Sequence, residues 1–171
     1  MLMGRVLLVL AAVAVVGCSS APPIASPSPN GSPSIPVGAS IVAGGCGFTP
    51  ILTGGLPGWL QDVGARNQAL YVLASPPRAA GLLFVQPLRA GHPLNPANKI
   101  LWAVRLPRNG HALEIVGHPV GAAAPAIDQT EPADSTNVEA YPSILDVPQP
   151  GCWHFDLAWA GHKASVELLY Q

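Results

Sequence analysis

The apolar residues of this chain, from Ile41 onward, occur in short runs that are repeatedly broken by Gly, Pro and Asn. Runs of that length, rich in Val, Ile, Leu and aromatic residues, are typical of β-strands, and a single helical turn is expected only at residues 56–60. The predicted strands are Ala69–Ala74, Gly81–Gln86, Lys99–Arg105, Ala112–Val116, Ser143–Val147, Trp153–Trp159 and Ala164–Tyr170. About seven short strands with turn signals between them predict an all-β domain, an antiparallel β-sandwich.

Alternating residue types assign faces to the last two strands, because successive side chains of a strand point to opposite sides. In Trp153–Trp159 the large apolar residues share the side expected to be core, while His154 and Asp156 share the other. In the following strand Glu167 lies opposite the apolar residues. Residues 160–162 predict a hairpin between the two strands, which would bring His154, Asp156 and Glu167 to one outer face. The other residues expected to point inward are Ile100, Trp102, Val104, Val166, Leu168 and Tyr170.

The N-terminal residues 1–17 have the organisation of a bacterial signal peptide. Arg5 precedes an apolar run, residues 6–16, that contains only Val, Leu and Ala and is shorter than the roughly 20 residues that span a bilayer. The run is followed by Gly17-Cys18, and together they resemble the lipobox of bacterial lipoproteins. That resemblance implies cleavage before Cys18 and diacylation of its thiol. The mature chain would then be held on the outer face of the cell membrane, since two acyl chains anchor a protein stably.

Residues 18–40 form the predicted linker between this anchor and the folded domain, residues 41–171. Ser, Pro, Ala and Gly dominate the linker. Such a segment cannot bury enough apolar surface to fold, and its prolines keep it extended. A second polar, Pro-rich stretch, residues 119–142, lies inside the domain. A connection of that length is expected to be either functional or poorly ordered.

Two cysteines remain once Cys18 is assigned to the lipid. In an oxidising compartment an even pair predicts a disulfide, here between Cys46 and Cys152. The alternative is a pair of metal-binding or redox thiols. It is less favoured because there is no CxxC motif and neither cysteine has a histidine at ligand spacing.

The charge of the chain is sparse and nearly balanced, with 8 basic and 9 acidic residues. A nucleic-acid-binding surface needs a basic patch, so nucleic acid is not an expected partner. No run of like charges indicates a polyelectrolyte partner either.

Several of these segments resemble a group of uncharacterised bacterial surface lipoproteins. The resemblance rests on the strand Asn98-Lys99-Ile100-Leu101-Trp102, the late strand start Pro150-Gly151-Cys152-Trp153 and the Leu56-Pro57-Gly58-Trp59 element, and it covers most of residues 46–171. It implies an Ig-like β-sandwich on the cell surface and supplies no activity. Position 150 is Pro where an immunoglobulin domain has its conserved Tyr, so the term Ig-like describes architecture alone.

The candidate chemistry lies among the histidines and the outer-face carboxylates. A cross-strand pair of the five histidines could bind copper or zinc, but no HxH or HExxH spacing occurs and most of them adjoin Gly or Pro. Solvated turn histidines are therefore favoured, and neither a metal nor another cofactor is predicted. His154, Asp156 and Glu167 could support hydrolysis, yet exposed strand carboxylates beside a histidine usually form a solvated face. No catalytic residue is predicted.

The sequence thus favours a non-enzymatic module that binds an envelope ligand or protein. Trp59 and His154 are its candidate ligand contacts; Trp59 adjoins Pro57 and Gly58 and is the tryptophan expected to be exposed. The competing hypothesis is an envelope metal-binding protein or hydrolase that uses the His154, Asp156 and Glu167 face.

Overall fold

The computed structural model describes residues 34–171. The predicted signal peptide, Cys18 and most of the predicted linker lie outside these residues. The strands are β1 (Ala39–Cys46), β2 (Thr49–Gly54), β3 (Leu70–Leu73), β4 (Ala79–Leu83), β5 (Lys99–Val104), β6 (Leu113–Pro119), β7 (Ile127–Glu131), β8 (Ala140–Ile144), β9 (Gly151–Trp159) and β10 (His162–Tyr170). A short helix, α1 (Gly58–Asp62), and a 3-10 turn, Ala133–Ser135, complete the elements. Within the described part of the chain, no helix has the length and apolar character needed to cross a membrane.

The strands form two antiparallel sheets, which confirms the predicted all-β sandwich. The six-stranded sheet has the order β1-β2-β3-β4-β5-β8, and the four-stranded sheet has the order β10-β9-β6-β7. Residues 34–171 contain ten strands rather than about seven. The strands β1 and β2 were not predicted because their segment is rich in glycine, and β1 carries an irregularity between Val42 and Cys46. The strand β7 was not predicted because this edge strand is only half-buried and has little apolar character.

The core lies between the two sheets and is built from their alternating apolar residues. Trp102 from the six-stranded sheet and Trp153 and Phe155 from the four-stranded sheet are completely buried. The predicted inward positions are confirmed. They are Ile100, Trp102, Val104, Trp153, Phe155, Leu157, Trp159, Val166, Leu168 and Tyr170.

A second apolar cluster lies on the outer side of the six-stranded sheet. Leu60 of α1 is fully buried there against Leu52 and Tyr71. Trp59 packs against the same cluster and is half-buried. It is therefore less exposed than the sequence suggested, because it packs against the apolar residues on this side of the sheet.

Residues 119–142, expected to be functional or poorly ordered, contain β7, and the chain between β7 and β8 is organised around the buried cation of Arg108. The guanidinium of Arg108 donates to the carbonyl oxygens of Ala133 at 2.7 Å, Ala140 at 2.9 Å and Thr136 at 3.2 Å. It also stacks on the ring of Tyr141, 5.3 Å from the centroid. Burial raises the pKa of the Tyr141 phenol to about 12, although the charge of Arg108 opposes that shift. Arg108 thus holds the connection between β7 and β8 against the sandwich.

Candidate functional site

The outer face of the four-stranded sheet carries a row of titratable side chains from three neighbouring strands. His154 of β9 pairs in register with Glu167 of β10 on one side and with His118 of β6 on the other. These three residues are called the histidine row below. Sequence alternation had placed His154, Asp156 and Glu167 on this face. His118 was not among them, because only the pairing of β6 with β9 brings it there.

His154 lies at the centre of this row between two carboxylates. Its Nε2 is 3.5 Å from Oδ1 of Asp156, and its Nδ1 is 3.6 Å from Oε1 of Glu167. The His154 side chain is 24% exposed, whereas Asp156 is 66% exposed. The ring of His118 stacks beside it, with centroids 5.3 Å apart and planes inclined by 25°. The expectation of solvated turn histidines is therefore wrong for this pair, which is half-buried on strands.

Glu167 differs from a solvated strand carboxylate because the tip of the β1–β2 hairpin covers it. The residue is only 8% exposed. The backbone N–H of Phe48 donates to its Oε2 at 3.1 Å, and its own N–H donates to Thr49 Oγ1 at 2.9 Å. Gly47 has a positive φ of 53°, and a Cβ at this position would collide with the Glu167 carboxylate. The tip therefore needs glycine both for its turn and for its close approach to Glu167.

A disulfide fixes this hairpin tip over the histidine row. Cys46 at the end of β1 is bonded to Cys152 of β9, as the sequence predicted. Cys152 lies two residues before His154 and on the same face of the strand. The ring of Phe48 meets that of His154 edge-on, with centroids 6.4 Å apart. The disulfide and Phe48 flank one side of the row.

On the other side of the row, towards the β9–β10 turn, the same face has two shallow, connected grooves. One, of about 390 Å³, is lined by Glu114, Val116, Asp156, Ala158 and Lys163. The other, of about 440 Å³, shares three of these residues and extends to the β9–β10 turn. In that turn Ala160 and Gly161 both have positive φ, which produces the tight hairpin expected from the sequence. Asp156 connects the grooves to the histidine row.

Of the other candidate residues, His111 and His162 line the second groove, whereas Trp59 and His92 do not join this face. Trp59 packs on the outer side of the opposite sheet. His92 lies 3.4 Å from Asp146, away from the row, and is 67% exposed. Among residues 34–171, no three His, Cys, Asp or Glu side chains are gathered so that they could hold a metal ion.

The residues that carry the lipoprotein resemblance have structural roles here. Asn98 is fully buried and bonds both the backbone of Arg89 and the side chain of Asp146. The indole N–H of Trp102 donates to Ser143 at 3.1 Å, and that of Trp153 donates to the carbonyl of Gln149 at 3.0 Å. Comparison of the chain with known protein families, curated proteins and solved structures finds no match.

Proposed function

We propose that this chain is a cell-envelope lipoprotein whose β-sandwich is a non-enzymatic binding module. Its binding surface would be the outer face of the four-stranded sheet, centred on His154. The observation that carries the proposal is the setting of His154, half-buried between Asp156 and Glu167 and stacked on His118. Polar groups held in fixed positions on a partly desolvated surface fix the orientation of a bound partner and make its recognition specific.

The shape of this face supports recognition of a partner's surface. The two grooves beside the row are shallow and open, and they carry both charged and apolar side chains, including Glu114, Lys163 and Val116. An open groove of mixed character fits an extended segment or a flat surface better than an enclosed small molecule.

Two features support the proposed envelope location. The Cys46–Cys152 disulfide is typical of proteins that fold in an oxidising compartment. The residues that lead to Cys18 resemble a lipobox and supply the proposed anchor.

The proposed anchor predicts the mass of the mature protein. Intact-mass measurement of the chain extracted from membranes is expected to show a species that begins at a diacylated Cys18. Reduction should add only the two hydrogens of one opened disulfide. A Cys18→Ser variant should leave the membrane fraction. An unlipidated wild-type species, or one that begins at another residue, would contradict the anchor.

The proposed binding face predicts where a partner can be captured. A photo-crosslinking residue at Glu114, introduced in the cells that make the protein, is expected to give one discrete adduct. The same residue at Asp62, which is exposed in α1 on the opposite sheet, serves as the matched control. The Glu114 adduct should disappear in the presence of His154→Ala. Equal adducts from both positions, or an adduct insensitive to His154, would argue against this face.

A further inference from the structure

We propose that the outer edge of β1 rests on the lipid surface that holds the proposed anchor. The contact is made by four exposed apolar side chains, which are called the β1 patch below: Ile35, Val37, Ile41 and Phe48. The inference deepens the proposed function by adding a second contact with the membrane. It rests on that function for the anchor at Cys18.

The members of the β1 patch are large apolar residues gathered in one region of the surface. Val37 is completely exposed, and Ile41 is 59% exposed. Ile35, Ile41 and Phe48 line one shallow groove of about 470 Å³ along β1. An exposed apolar residue that stands alone needs no explanation, whereas several in one place mark a surface that meets a partner or a membrane.

A tight turn before β1 brings the first two members of the patch to this edge. The N–H of Ala39 donates to the carbonyl of Pro36 at 3.0 Å, and Gly38 has a positive φ of 80°. The turn reverses the chain, so Ile35 lies back along β1 and lines the groove. Val37 occupies the tip of the same turn.

The chain around the β1 patch carries no charge. Between Arg5 and Asp62 the sequence contains no Asp, Glu, Lys, Arg or His, and no residue that lines the groove is charged. Edge strands of soluble proteins commonly carry charged residues that keep other surfaces away. Charged side chains leave water at a high cost, and this edge enters a lipid headgroup layer without that cost.

The opposite edge of the same sheet, β8, is protected in ways that β1 is not. Pro142 lies within β8 and has no N–H to offer to another strand. The carbonyl of Ala140 accepts from Arg108 at 2.9 Å, and that of Ile144 accepts from the Gln129 amide at 3.2 Å. The sequence of β1 contains neither a proline nor a charged residue. The edge of β1 is therefore the one that needs a cover from outside the domain.

The shape of β1 favours lipid over a second copy of the chain as that cover. Its register is irregular between Val42 and Cys46. An irregular edge resists the addition of a further strand, so the contact falls to the side chains rather than to the backbone. Apolar side chains at a membrane surface reach about 5–10 Å into the boundary between headgroups and acyl chains. The backbone of the edge then stays among hydrated headgroups, where its polar groups remain satisfied.

The position of the anchor keeps the β1 patch close to the bilayer. Ser34, the first residue that the structure describes, follows Cys18 by 16 residues. Even when fully extended, 16 residues span only about 58 Å. A short tether holds the domain at an effective concentration on the order of millimolar. Contacts too weak to bind a free protein to lipid are then sufficient, and the patch is the described surface nearest to the anchor along the chain.

Fluorescence quenching in vesicles tests this contact. The full lipidated chain, purified in detergent, is reconstituted into phosphatidylcholine vesicles with brominated acyl chains, and a fluorescent amino acid replaces Val37. We expect strong quenching at this position. The same fluorescent residue at position 144 should be quenched little, because Ile144 is similarly exposed, at 53%, but lies on the opposite edge of the sheet.

Substitutions in the patch provide the second arm of the experiment. With the fluorescent residue at position 37, Ile41→Asp should lower the fraction of domains on the lipid about tenfold, because the burial of one large apolar side chain is lost. Ile35→Asp should act in the same direction. Ile144→Asp is the matched control and should leave quenching unchanged. High salt should also leave it unchanged, since no charge contributes to the contact.

Thermal melts show that each variant is folded, and Ile35→Asp replaces Ile41→Asp if the latter is not. Equal quenching at positions 37 and 144, or quenching that survives both patch substitutions, would overturn the contact. Energy transfer between chains labelled at position 37 would show that a second copy covers the patch and would also overturn it. An intact mass without lipid would contradict the anchor and the contact together. A lipidated chain without preferential quenching would refute the contact alone and leave the anchor standing.

Discussion

Replacing both bridging cysteines, with Cys46→Ala and Cys152→Ala together, is expected to lower the free energy of unfolding by about 4 kcal/mol. The bridge closes a loop with a sequence separation of 106 residues, so it removes much of the conformational freedom of the unfolded chain. In the folded state it also holds the β1–β2 tip over Glu167. Loss of the bridge should therefore lower stability and expose the Glu167 carboxylate. Urea unfolding of the wild-type and variant chains measures the difference.

Reductant provides the control for this experiment. Adding it to the wild-type chain should reproduce the loss of stability, whereas the double variant should not respond to it. A difference below about 1 kcal/mol between the two chains would show that the hairpin is held by its hydrogen bonds alone. Hydrogen exchange at the Phe48 amide, which donates to Glu167, locates the change.

Replacing Arg108 with Ala is expected to cost about 3 kcal/mol of stability. The guanidinium is buried and donates to the carbonyls of Ala133, Thr136 and Ala140. Without it, these partly or fully buried acceptors lose a charged donor, and only the Ala140 carbonyl keeps a second one, the Thr136 hydroxyl. The cost should appear first as loss of protection in residues 132–140, because the acceptors that Arg108 holds lie in this connection between β7 and β8.

Arg105→Ala is the matched control for Arg108. Arg105 is exposed and lies only three residues away at the end of the same strand region, so its removal should change stability by less than about 0.5 kcal/mol. Hydrogen exchange monitored by mass spectrometry distinguishes local from global loss. Equal costs for the two substitutions, or unchanged protection of residues 132–140 in Arg108→Ala, would refute the role assigned to Arg108.

Much of the fold could be predicted because each strand that builds the core has a residue pattern that identifies it without knowledge of its neighbours. Trp153–Trp159 alternates large apolar and polar residues, and this pattern alone fixes which side is buried. The disulfide was predictable for another reason, because only two cysteines remain once Cys18 is assigned to the proposed lipid anchor. In contrast, β7 is an edge strand with little to bury, so its sequence carries no apolar alternation.

The site was less accessible to sequence reasoning because non-local contacts assemble it. His118 and His154 belong to strands that are not consecutive in the chain. The sequence of a strand does not indicate which other strand will pair with it. Glu167 was placed on the correct face but expected to be solvated. Its burial is caused by Gly47 and Phe48, which contact it in the fold but are far from it in the sequence.

If the chain is anchored through Cys18 as proposed, the disulfide has a mechanical consequence. Tension that enters through β1 reaches Cys46 and passes through the sulfur–sulfur bond directly to Cys152, two residues from His154. The segment between the two cysteines, which contains most of the six-stranded sheet, is left outside this covalent path. A partner pulling on the face around His154 would therefore be joined to the tether by a short, nearly inextensible route, and the sandwich could resist that pull without unravelling.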